Sequence, residues 1–161
     1  MADQAVALHQ QGRLAEAETL YRESLTREPG LFGPRYYLGV MRMQQGRFEE
    51  AAAFLREALR LREQDLHTLV NLGMALRHLG RPGEALPPLA RALELRPDLA
   101  EAHYQQAAAL HELGRPDEAR EAVARALVLS PDHLKAAFLH AVVLGDLRQP
   151  REARAAYDGL L

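Results

Sequence analysis

The side chains best suited to chemistry are the histidines and carboxylates, and neither set is arranged as a reacting centre. His78 and His111 fall near the ends of two successive helical segments and could approach one another. Only Glu112 stands close enough in sequence to lend a third ligand, whereas zinc is held by three or four convergent donors. They read as the polar lining of a groove. His133 and His140 lie two turns apart and read as structural or exposed. The chain has no cysteine, which removes disulfides, thiolate metal sites and thiol nucleophiles together. Its serines, Ser24 and Ser130, occupy structural positions, and no Gly-x-Ser-x-Gly elbow or Gly-rich phosphate loop is present. The carboxylates stand beside arginines, as in Glu50, Arg56, Glu57 and Arg60, the pattern of a solvated charged face. The expectation is a protein without catalytic residues, metal or cofactor.

Composition narrows the partners. A formal net charge of −2 gives no basic footprint for nucleic acid. The amino terminus has neither a basic region nor a continuous apolar run, so it does not read as a signal peptide. The most apolar segment, Ala136 to Leu144, is too short to span a bilayer and contains His140. A cytoplasmic protein that does not insert into membranes is expected. A single lysine, Lys135, no isoleucine and abundant Arg, Ala and Leu fit a GC-rich bacterial gene.

The elements that must position any site are set by a repeat. Gly12-Arg13-Leu14-Ala15-Glu16-Ala17 returns as Gly46-Arg47-Phe48-Glu49-Glu50-Ala51, Gly80-Arg81-Pro82-Gly83-Glu84-Ala85 and Gly114-Arg115-Pro116-Asp117-Glu118-Ala119, always 34 residues on. Arg148-Gln149-Pro150-Arg151-Glu152-Ala153 is a degraded fifth copy. A second small-residue column runs Ser24, Ala58, Ala92, Ala126, and Pro29, Pro97 and Pro131 close three units, with Glu63 in the fourth. Each unit reads as two helices. Leu69, Leu72, Gly73, Leu76 and Leu79 keep helical spacing, and Gly80 ends that helix as a left-handed residue. The next opens near Pro82, Pro116 or Pro150, where a first-turn proline lacks an N–H that has no partner anyway. Asp98 with Glu101 resembles an acidic capping box for the following helix. Pro87-Pro88 falls inside a second helix, and predicts a local kink or loosened first turn that resumes as helix by Leu89. Nothing alternates with period two, so no sheet is expected.

The 34-residue unit, the Leu38-Gly39 and Leu72-Gly73 pairs, the Ala columns and the closing prolines resemble the tetratricopeptide repeat family. Tyr21, Leu55, Leu89, Val123 and Tyr157 take the aromatic position of its second helix, and Arg35, Leu69, His103 and Ala137 stand where the family pattern has Trp. The resemblance implies an all-α, right-handed solenoid of antiparallel helix pairs. It is read as one array over 1–161, with repeats at about 1–31, 32–65, 66–99, 100–133 and 134–161.

It further implies that the first helices line a concave surface. The residues expected there are Tyr36, Val40 and Met43; Val70, Asn71, Met74 and Arg77; Tyr104, Ala108 and His111; Phe138 and Val142. The set is more apolar than repeat stacking requires, and a continuous apolar patch marks a binding surface. Arg77, Asn71 and Lys135 do not compose the cationic set with which some members of the family clamp a terminal carboxylate. The column Tyr37, Asn71, Gln105, Leu139 keeps one rung of the Asn ladder found in others.

The function expected is a non-catalytic scaffold that holds a peptide segment of a protein partner in the groove. Two alternatives stand beside it. The array could be the docking or regulatory leader of a larger glycosyltransferase-, sulfotransferase- or hydroxylase-like enzyme. It could also be a self-assembling scaffold, a homo-oligomer formed through array ends that look unfinished, the last at Ala156-Tyr157-Asp158-Gly159-Leu160-Leu161.

Overall fold

A computed structural model describes residues 2–159, and Leu160 and Leu161 of the expected last helix lie outside the described residues. Among the described residues ten helices follow in pairs: α1 (Ala2–Gln10) with α2 (Leu14–Arg27), α3 (Phe32–Gln44) with α4 (Phe48–Leu61), α5 (Leu66–His78) with α6 (Pro82–Leu95), α7 (Ala100–Glu112) with α8 (Pro116–Leu129), and α9 (Leu134–Asp146) with α10 (Pro150–Asp158). No strand occurs among the described residues. The pairs stack into an all-α solenoid whose core is a chain of buried clusters between successive pairs.

The recurring Gly-Arg-x-x-Glu-Ala sequence is the hairpin between the two helices of a pair. Gly12, Gly46, Gly80 and Gly114 have φ of 76°, 71°, 70° and 70°, the left-handed conformation that glycine adopts without a Cβ clash. That turn lets the following arginine amide reach back five residues, as in Arg47 N to Arg42 O at 2.8 Å and Arg115 N to Leu110 O at 2.9 Å. The arginine side chain then pairs with the glutamate three residues on, at 2.5 Å for Arg13–Glu16 and 2.7 Å for Arg115–Glu118. The alanine that ends the motif is buried in all five pairs, as Ala17, Ala51, Ala85, Ala119 and Ala153. In the degraded copy Arg148 takes the left-handed place at φ 56°.

The crossing of the paired helices explains the Leu-Gly pairs. A Cβ built on Gly73 would lie 2.5 Å from Leu89 Cγ, and one on Gly39 2.8 Å from Leu55 Cγ. The next pair solves the same crossing with Ala107 against Val123, both fully buried: the first helix gains a methyl where the second has a smaller side chain.

Three sequence expectations change here. α6 is helical from Pro82 to Leu95 without interruption, so Pro87-Pro88 does not loosen its first turn. The carbonyls that lose their N–H partners belong to the exposed Gly83 and Glu84, where water can serve, and fully buried Leu89 pins the next turn. Asp98 does not cap α7: Leu99 stands at the N-cap without a side-chain bond, and Glu101 reaches Gln105 and His133 instead. Glu50, read as part of a solvated face, accepts a 3.1 Å bond from buried Arg42.

Arg42 is the residue that sequence reading missed. It occupies the position of Leu8, Leu76, Leu110 and Leu144, yet is only 1% exposed. Its guanidinium is satisfied by Glu18 (2.5 and 3.1 Å), Glu50 and Gln45 (2.8 Å). An apolar column carrying one arginine, with glutamates at fixed offsets in neighbouring helices, was the available signal.

Candidate functional site

The first helices α1, α3, α5, α7 and α9 run side by side and are linked by polar bonds that repeat with the fold. His9 Nε2 donates to Gln44 Oε1 at 3.0 Å, Arg77 Nη1 to Glu112 Oε1 at 2.6 Å, and His111 Nε2 to Asp146 Oδ2 at 2.8 Å. Each joins one position of a unit to the next position of the following unit, near the C-terminal ends of the helices. Met43 breaks the ladder, and His78 opposite it stacks on Phe48 with ring centroids 4.6 Å apart. Burial and the nearby Arg77 charge lower the pKa of His78, favouring the neutral ring. His78 and His111 therefore each hold separate partners. No group of three metal-binding side chains occurs among the described residues.

Eight of the twelve residues read as groove lining divide among three clefts. Arg77, Tyr104, Ala108, His111 and Phe138 meet in one of about 370 Å³ between α7 and α9, with Glu112, Leu134, Lys135 and Leu139 completing its walls. Val70 and Asn71 border a smaller cleft of about 200 Å³, closed by Leu66, Leu99 and Glu101. Tyr36 lines a third, of about 480 Å³, with Phe32, Tyr37, Arg62, Asp65 and His67. Val40, Met43, Met74 and Val142 are half-buried and border none of these three. Val70 and Ala108 are buried, 9% and 5% exposed, so they present little surface to a ligand. Neighbouring helices cover them, and single-helix spacing does not reveal that cover.

The cleft between α7 and α9 has fixed polar groups over an apolar floor. Arg77 is held by Gln105 at 3.1 Å and by Glu112, and His111 by Asp146, which sets the direction of both side chains. The Tyr104 ring lies 4.9 Å from that of His133, which caps α9 by accepting from Ala136 N at 3.2 Å. Burial raises the Tyr104 phenol pKa above its ordinary value, so at neutral pH it keeps its proton and can donate. Tyr36 is also raised by burial; it accepts a 3.4 Å bond from Asn71 and keeps its own O–H to give. These groups can orient peptide carbonyls and amides and enclose apolar side chains.

Lys135 and Leu139, weighed in the sequence only against the cationic clamp and the Asn ladder, are walls of this cleft. Leu134 was missed: it occupies a position that reads as core in a periodic pattern, and the sequence does not indicate which copies of a column are left uncovered.

The solved structures resembling this one are tandem helical repeats. MamA from Desulfovibrio magneticus superimposes with a TM-score of 0.92 at 20% identity, covering 98% of this chain and 89% of that one. YrrB, described as a TPR protein with an unusual peptide-binding site, gives 0.83 at 27% identity over 96% and 79% of the two chains. PilF from Pseudomonas aeruginosa gives 0.85 at 22% identity over 99% and 72%. A comparison with curated proteins gave no match. Three tetratricopeptide repeat models match residues 31–98, 70–133 and 1–23. With the hairpins, the small-residue crossings and the solenoid they build, these matches place the chain in the tetratricopeptide repeat family.

Proposed function

We infer that the protein is a non-catalytic interaction scaffold that binds a peptide segment of a protein partner on its concave face. The observation that carries the reading is the cleft between α7 and α9. It joins five of the expected residues over an apolar floor, and its polar groups are already oriented by neighbouring repeats. Pre-orientation lowers the ordering cost of association. The likeness to YrrB, itself described as carrying a peptide-binding site, supports the same reading. No helix among the described residues is long and apolar enough to cross a membrane.

The test is selection of a displayed random-peptide library on the wild-type protein, followed by affinity measurement on Tyr104→Ala and Phe138→Ala, both in that cleft. Loss of affinity by tenfold or more, about 1.4 kcal/mol, with unchanged helicity is expected. Enriched peptides that bind both variants as tightly as wild type would overturn the reading.

A further inference from the structure

Arg62 is fixed in direction but has no acceptor. It is the C-cap residue of α4, and its guanidinium carbon lies 4.4 Å from the centroid of the Phe32 ring. Phe32 is itself stacked on Tyr36, with centroids 5.8 Å apart and planes 11° from parallel. The edge of Tyr37 at 5.3 Å and the bond from Asn71 hold Tyr36 in turn. A cation over a ring face is held by the π electrons and spends none of its N–H donors. Among the described residues no side chain or carbonyl accepts from the Arg62 guanidinium. Arg35, one turn along α3 from Phe32, is by contrast engaged by Glu57 and by Leu31 O.

The stack belongs to one unit of the array. Arg96 is the equivalent C-cap residue of α6, but it shares its cleft with Leu66, which has no π face. The same place after α2 and α8 is taken by Glu28 and Ser130.

Arg62 borders the cleft of about 480 Å³ that also contains Asp65. Asp65 caps α5 with one oxygen: Oδ1 accepts from Thr68 N at 2.8 Å and from Thr68 Oγ1 at 2.6 Å. Its Oδ2 accepts from no described residue, and Asp65 and Arg62 do not pair with each other. The cleft therefore offers a directed guanidinium fork and a free carboxylate oxygen. The fork matches the two oxygens of a carboxylate, and the free oxygen takes an N–H. An acidic residue within an extended peptide brings both groups, a side-chain carboxylate and a backbone amide. A phosphate dianion fits less well, because it brings two negative charges towards Asp65. The Tyr36 hydroxyl keeps its own proton and adds a donor to the same wall. The walls come from α3 and the α4–α5 turn, and they share no residue with the cleft between α7 and α9.

We propose that this cleft is a second ligand site, which takes an Asp or Glu side chain of an extended segment of a partner protein on the Arg62 fork, with a backbone amide of that segment on Asp65. It goes beyond the α7–α9 site and does not depend on it. The probe is the blocked peptide acetyl-Ala-Ala-Glu-Ala-Ala-amide, whose only carboxylate is the side chain, compared with its Gln and Lys versions. Binding is followed by nuclear magnetic resonance on isotope-labelled protein, at the Arg62 Nε–Hε signal and the backbone amides. The Glu peptide should shift the Arg62 signal saturably, and the Gln version should bind at least about tenfold more weakly. Arg62→Lys keeps the charge without the fork and should lose a few-fold. Phe32→Leu, which copies Leu66 of the next unit, should lose a few-fold because the fork has no ring to lie on. Arg62→Glu should lose the Glu peptide and take the Lys version in its place, which also shows that the variant is folded. Phe138→Ala should leave binding at this site unchanged. No saturable shift at Arg62, or equal binding of the Glu and Gln peptides, overturns the proposal. Tighter binding of inorganic phosphate than of the Glu peptide overturns it by assigning the cleft to phosphate. Shifts centred on Tyr104 and Phe138 that Phe138→Ala removes would place the acidic peptide in the α7–α9 cleft, refuting this site while leaving the reading of that one intact.

Discussion

Gly73→Ala should destabilise the protein even though it places a better helix former within α5. In an unobstructed helix the exchange gains about 1 kcal/mol. Here the added methyl would meet Leu89 Cγ, Cδ2 and Cδ1 at 2.5, 2.8 and 3.0 Å, well inside the separation of about 3.5–4.0 Å at which carbon atoms pack favourably. Leu89 is fully buried, so it cannot swing into solvent. Overpacking of this kind costs about 1–3 kcal/mol. Contact with three atoms of a pinned side chain puts it near the upper end, for a net loss of about 2 kcal/mol. Leu89→Val alone removes a buried methylene and should cost about 1 kcal/mol. The two together recreate the Ala107–Val123 crossing of the next pair, both residues fully buried. The double variant should therefore lie within about 1 kcal/mol of wild type, a coupling of about 2 kcal/mol where independent sites would add. Urea denaturation followed by far-ultraviolet circular dichroism measures all four corners of the cycle, with equal slopes required for comparison. A Gly73→Ala variant more stable than wild type, or a coupling below about 0.5 kcal/mol, would refute the argument that close helix approach selects glycine here.

Arg42→Ala strands Glu18 and leaves a hole, and should lower stability by about 3 kcal/mol, as loss of one partner from a buried pair does. Arg42→Leu, which restores the residue type of the other four units, should cost clearly less in the same melts. The Arg42 hydrogen bond holds the Glu18 carboxyl below its ordinary pKa, so its contribution is full above the usual carboxylate range and is lost as pH falls through the lowered value. Tm should accordingly fall less steeply in acid for Arg42→Leu than for wild type. Arg148→Gly relieves a left-handed non-glycine residue at φ 56° and should stabilise the α9–α10 hairpin by about 0.5–1 kcal/mol after the entropic cost of glycine, read as slower amide exchange in α10.

The sequence by itself determined the repeat, and through it most of the fold. Gly12, Gly46, Gly80 and Gly114 mark backbone positions that need positive φ, Pro82, Pro116 and Pro150 mark first turns, and the alanine columns mark crossings. Each follows from the chemistry of one residue and its immediate neighbours, so each is legible from a linear string. Five of the twelve groove candidates meet in one cleft, because helical spacing places them on one face. What the tertiary structure decided depends on contacts between units. Single-helix periodicity cannot show that α7 and α9 polar groups orient one another, or that Arg42 replaces leucine because Glu18 and Glu50 converge on it. Nor can it show that Val70 is covered while Phe138 in the same column is more than half exposed. Apolar residues at equal positions differ in burial through what neighbouring helices lay over them, and that is a property of the stack.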